Sequence, residues 1–137
     1  MTRGFSVLYV ILAWLFLAGL VTVVVAAGYG LFVEHDSFEP HRNFGWILHL
    51  SPILLLIVAL GARIGSPRIW WVVALALFVF IQPLLPGIGG WVAAVHPLNA
   101  TLIMFVAVNV ALRAPPGVMS VSVAFAAHSD GVLWFTT

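Results

Sequence analysis

Four apolar runs of about 20 residues each take up most of this 137-residue chain. Wound as helices, runs of that length match the hydrocarbon thickness of a bilayer. What remains is too little for a water-facing surface: 64% of residues are hydrophobic, 7% are charged, and the mean hydropathy is +1.19. A soluble domain carries about a quarter charged residues. The chain therefore excludes a large soluble catalytic domain. With a net charge of +1 and no basic block, it also excludes nucleic-acid binding by phosphate neutralisation. The absence of cysteine removes disulfides, thiolate catalysis, iron–sulfur clusters and Cys-based zinc sites.

The first span runs from Phe5 to Val33. Its apolar stretch is far longer than a signal-peptide core, so a retained helix is expected. The second runs from His41 to Ala62, between Pro40 and Arg63. The third begins after Pro67-Arg68 with Trp70-Trp71 and is expected to end at Gln82-Pro83. The fourth follows the turn from Pro86 to Gly90, starts at Trp91 and ends at Arg113. Trp and Tyr near these ends form an interfacial belt. The predicted fold is an all-α bundle of four transmembrane helices over residues 1–113. Arg3, Arg63, Arg68 and Arg113 fall at one set of ends, and Glu34, Asp36 and Glu39 at the other, with Arg42 the single exception. The positive-inside rule then puts both termini in the cytoplasm, in a multi-pass protein of the plasma membrane.

Helix association in lipid relies on small residues and polar contacts. Gly19, Thr22, Ala26 and Gly30 supply such a seam on the first span, and Ala93, Ala100, Ala107 and Ala114 on the fourth. In the tail, 114–137, Val121, Val123 and Phe125 alternate with smaller residues, a period-two pattern. Its apolar part is too short to cross as a helix. The expectation is a tail lying at the interface or docked on a partner, with a disordered tail as the alternative.

Ionisable groups inside spans point to function by default. Here they are histidines: His41 opens the second span, His49 lies inside it, and His96 lies in the fourth. Gln82, Asn99 and Asn109 are the other notable polar groups, and no Asp, Glu or Lys lies within a span. His49 sits about 12 Å deeper than His41, and His96 about 7–8 Å below the outer surface. Either of the first two could therefore face His96. Gly45 between His41 and His49, and Ala100 four residues after His96, leave room beside the imidazoles. Imidazoles on facing helices with small residues between them suit a bis-His haem. Pro52 and Pro97 free the carbonyls of Leu48 and Ala93 and can kink the helices around a cavity. The alternative is an interhelical network: His49 to Gln82 or to the freed Leu48 carbonyl, and His96 to Asn99 or the outer loop. His35 and His128 read as solvated, and the acidic loop reads as solvated rather than as a cation site. No nucleotide, phosphate-loop or zincin motif is present, and Ser51 and Ser66 lack a neighbouring base.

Three stretches carry a resemblance: His41-Arg42 through Leu48-His49, Gln82-Pro83, and His96-Pro97-Leu98-Asn99-Ala100. Together they resemble a family of small prokaryotic four-helix membrane proteins of unknown function, over roughly residues 5–113. That resemblance implies the fold and no activity. A second likeness, carried by His41-Arg42 after Glu39 and by His96, is to b-type membrane cytochromes and one four-helix half of haem A synthase. It implies haem ligation by His on the second and fourth helices near the outer face. This chain has one such unit and lacks that synthase's Cys pair.

Two functions follow as expectations. In the first, one b-type haem sits between the second and fourth helices. His49 and His96 are its axial ligands, His41 is the alternate ligand or a propionate contact, and Arg42 pairs a propionate. Electron transfer with a quinone or a larger redox complex would follow. In the second, the chain is a non-catalytic membrane subunit or scaffold whose His and Asn residues knit helices together. On either reading it is not expected to be an enzyme by itself.

Overall fold

The computed structural model describes residues 2–34 and 37–113. The expectations for His35, Asp36, His128 and the tail 114–137 lie outside the described residues. Helix α1 (Thr2–Phe32) crosses in one piece. The second span is split into α2 (Glu39–His49) and α3 (Ser51–Gly61). The third comprises α4 (Ser66–Ile81) and the short α5 (Leu84–Ile88). The fourth comprises α6 (Gly90–Ala93) and α7 (Val95–Leu112). Among the described residues all regular structure is helical, and four spans are long and apolar enough to cross a membrane: Arg3–Phe32, Glu39–Gly61, Ser66–Ile88 and Gly90–Leu112.

Prolines punctuate these helices in two ways. Pro40, Pro52 and Pro67 each sit in the first turn of their helix, where the missing N–H is not needed. Pro83 and Pro86 act differently, because they remove the donors that would serve the carbonyls of Val79 and Gln82. The helix loosens there and resumes as α5, so the third span continues to Ile88. The sequence reading ended that span at Pro83. The reversal comes later, at Gly89 and Gly90, whose φ of 79° and 57° suit glycine and strain other residues.

The chain between α3 and α4 closes with a left-handed Arg63, at φ 53°. Arg63 N donates to the Leu60 carbonyl (3.0 Å) and Ile64 N to the Ala59 carbonyl (3.3 Å). That pair of bonds is a Schellman closure, which satisfies carbonyls the helix leaves open.

The apolar core lies towards the arginine-bearing end. It is built from Tyr9, Ala13 and Phe16 on α1, Leu55, Val58 and Ala59 on α3, Val72, Leu75 and Val79 on α4, and Ile103, Val106, Ala107, Val110 and Ala111 on α7. Each set repeats every three or four residues, which is one stripe of a helix. The Phe5 ring fills the space beside Gly61, Arg113 stacks over Trp71 at 5.0 Å, and the Tyr9 hydroxyl donates to the Val110 carbonyl at 3.5 Å. These contacts gather Arg3, Arg63, Arg68 and Arg113 at one end of the bundle. No residue of α2, α5 or α6 is buried. The opposite end is thus fastened by something other than a greasy core.

Candidate functional site

That fastening is polar. α5 and α6 form the turn between the third and fourth spans, so Gln82 and His96 each lie six residues from the span ends at Ile88 and Gly90, about 9 Å down. Without a helical donor from Pro86, the Gln82 carbonyl is free, and His96 Nδ1–H donates to it at 3.1 Å. A carbonyl can only accept, so Nδ1 carries the hydrogen of this bond, and the Gln82 amide opposite Nε2 gives that nitrogen the acceptor role. Gln82 Nε2 donates to His96 Nε2 and to the His96 carbonyl, each at 3.2 Å. Gln82 Oε1 in turn accepts from Asn99 Nδ2 at 2.6 Å, and the same amide donates to the Phe78 carbonyl at 2.9 Å. Asn99 is 5% exposed. Every N–H of the two amides and both ring nitrogens of His96 are committed. No buried side-chain nitrogen or oxygen among the described residues is left without a partner.

His41 approaches from α2. Its Nδ1–H donates to the Val23 carbonyl of α1 at 2.9 Å, and its ring meets that of His96 edge to face, with centroids 6.1 Å apart. Each imidazole therefore binds one neighbouring helix, and the ring contact joins the two pairs. His41 and His96 come from the second and fourth spans, as the sequence led us to expect of facing imidazoles. His49 is placed elsewhere. Its ring packs against Trp46 (5.4 Å) and Phe80 (4.6 Å), both edge to face. The Leu48 carbonyl that Pro52 frees is taken by Ser51 Oγ at 2.6 Å, not by His49. Arg42 is exposed, and Gly45 faces open space.

A porphyrin needs its two axial imidazoles on opposite sides of a plane, each with a nitrogen free for iron. The residues here do not fit that requirement as arranged. His41 and His96 touch directly, and both nitrogens of His96 are held by Gln82. Apart from haem, which takes at most two axial ligands, no group of three or more His, Cys, Asp or Glu among the described residues could hold a metal ion.

Gln82 is the residue that the sequence reading undervalued. It was read as a possible partner of His49, whereas it is the centre of the network. The signal was present in Pro86, four residues on, whose missing N–H leaves the Gln82 carbonyl for a side chain.

Residues 24–90 match a family of unknown function, DUF6220. The matched stretch runs from the second half of α1 through α5. It takes in His41, His49 and Gln82 and stops short of His96 and Asn99. A four-helix membrane-type architecture and a family without assigned activity agree with the first resemblance drawn from the sequence. No curated protein and no solved structure matches the chain.

Proposed function

We propose that this chain is a non-catalytic, multi-pass subunit of the plasma membrane, a scaffold whose neutral polar side chains lock one end of a four-helix bundle. The observation that carries this reading is the closed network of His96, Gln82 and Asn99. Its donors and acceptors are spent on each other and on main-chain carbonyls. In lipid, apolar side chains gain little by leaving acyl chains for one another, so such bonds and close packing decide which helices associate. The arginine-bearing end faces the cytoplasm by the positive-inside rule, which puts the network in the outer leaflet. Partners are then other membrane chains laid against the apolar exterior.

Unfolding of the purified protein in mild detergent tests this. His96→Leu and Gln82→Leu should each lower stability by about 1–2 kcal/mol, and His49→Leu by less, since only ring contacts are lost. Unchanged stability in both network variants would overturn the scaffold reading.

A second reading rests on the meeting of His41 and His96: a b-type haem with these imidazoles as ligands, Arg42 on a propionate and a quinone as redox partner. It requires the bonds between Gln82 and His96 to open before haem could enter. A redox spectrum separates the two readings.

A further inference from the structure

Two main-chain carbonyls fix the polarity of the whole outer network. The Phe78 carbonyl can only accept, so Asn99 turns its amide nitrogen towards it, at 2.9 Å. The other N–H of that nitrogen is left for Gln82, which must present Oε1, at 2.6 Å. Gln82 Nε2 is thereby turned to the His96 carbonyl and to His96 Nε2, each at 3.2 Å. From the other side, the Gln82 carbonyl takes the hydrogen on His96 Nδ1 at 3.1 Å. Each group has one orientation, and the chain of bonds ends on a ring nitrogen that has to accept.

A second proton on His96 has no place in this arrangement. Its Nε2–H would face Gln82 Nε2, a donor against a donor. Turning the Gln82 amide over would set Oε1 against the His96 carbonyl and Nε2 against Asn99 Nδ2. Turning Asn99 over as well would set its Oδ1 against the Phe78 carbonyl. No rotation of the two amides removes the conflict. The titratable group that faces His96 is His41 of α2, whose ring meets it edge to face. Glu39 and Arg42 on the same helix are exposed. The outer half of α1 carries Tyr29, with Glu34 beyond its end, and the outer half of α4 and all of α5 and α6 carry no ionisable side chain. His41 differs from its neighbour: either charge state can donate to the Val23 carbonyl, and its Nε2 has no hydrogen bond among the described residues. It can therefore charge without losing a bond.

We propose that the network is an acid-operated latch, closed while His96 is neutral and opened by a second proton on Nε2, which frees the start of α7 from the end of α4. This rests on reading the network as a fastening and adds its control. The closed latch holds one proton fewer than the open one, so closure weakens as pH falls. His96 is half-buried, within reach of protons from the outer face.

Gln82 is the only glutamine in the chain, so nuclear magnetic resonance of the purified protein, isotope-labelled at glutamine, reads its side-chain amide directly in detergent micelles. Between about pH 8 and about pH 5, where histidine gains its charge, a second amide signal should grow. Its ratio to the first should rise by about tenfold for each pH unit, the slope of one proton. Helicity by circular dichroism should stay constant, because the apolar core contains no histidine. His96→Leu should show a single signal that ignores pH. His41→Phe keeps a ring beside His96 without a proton to gain, and should retain the response. In Gln82→Glu a carboxylate accepts from the charged ring, so its unfolding midpoint should hold or rise on acidification where the wild type's falls. A Gln82 signal unchanged over this range, a response that survives His96→Leu or disappears in His41→Phe, or an equal fall in Gln82→Glu would each overturn the latch. Lower stability of Gln82→Leu and His96→Leu at neutral pH, with no pH response in the wild type, would overturn the latch and leave the scaffold reading standing.

Discussion

At Arg63 a single residue sets a measurable strain. A left-handed conformation costs a non-glycine residue about 1–2 kcal/mol, and glycine surrenders about 0.5–1 kcal/mol of that advantage in chain entropy. Arg63→Gly should therefore raise stability by a net of about 0.5–1 kcal/mol, read as a higher unfolding midpoint in detergent. The network offers a sharper residue-scale prediction. Asn99 and Gln82 share a 2.6 Å bond, so their effects on unfolding should not add. A cycle of Gln82→Leu, Asn99→Leu and the double variant should return a coupling of about 0.5–2 kcal/mol. Additive losses would mean that the two amides act independently.

Helices α1 and α2 are held together by close approach at particular glycines. A Cβ on Gly30 would lie 2.5 Å from the Ser37 carbonyl oxygen, which is backbone and cannot move aside cheaply. A Cβ on Gly19 would meet the far end of the flexible Leu48 side chain at 2.7 Å. Gly28 and Gly45 have nothing within 4 Å. Gly30→Ala should be the damaging substitution and Gly19→Ala a mild one. Gly28→Ala and Gly45→Ala should stabilise by about 0.4–1 kcal/mol. Thermal unfolding of the four single variants checks the order and the change of sign.

The element scale also shows what the sequence could reveal. The four spans, the gathering of Arg3, Arg63, Arg68 and Arg113 at one end, and the close approach at Gly19, Ala26 and Gly30 were legible, because length, charge and small-residue spacing act locally. Thr22, expected in the same seam, is exposed and bonds the Ala18 carbonyl of its own helix. The pairing of histidines was not. A depth count from the loop puts His41 at the surface, yet it bonds Val23, which lies nine residues, about 13 Å, below the end of α1 at Phe32. α1 overshoots its neighbours, and the connection folds back against Gly30. On the third span, taking Pro83 as the end set Gln82 at the surface, whereas it lies level with His96. Register between helices depends on how the loops fold back, and one-dimensional spacing does not hold that information.

For the whole molecule, orientation and chemistry are the open consequences. The chain has no cysteine, so single cysteines report sidedness cleanly. In intact cells a membrane-impermeant maleimide should label Ser37→Cys and leave Ser66→Cys unlabelled until the membrane is permeabilised. The reverse pattern would invert the assignment of the arginine-bearing end. The central claim is that the meeting of His41, His96 and Gln82 is a fastening between helices. A ligand set for haem iron is the rival, and it leaves a visible signature. The decisive measurement is a reduced-minus-oxidised absorption spectrum of the protein, expressed with haem supplied and purified in mild detergent. The account predicts a flat difference spectrum from a fully helical, monodisperse protein. Stoichiometric Soret and alpha bands that vanish in His96→Leu would contradict it.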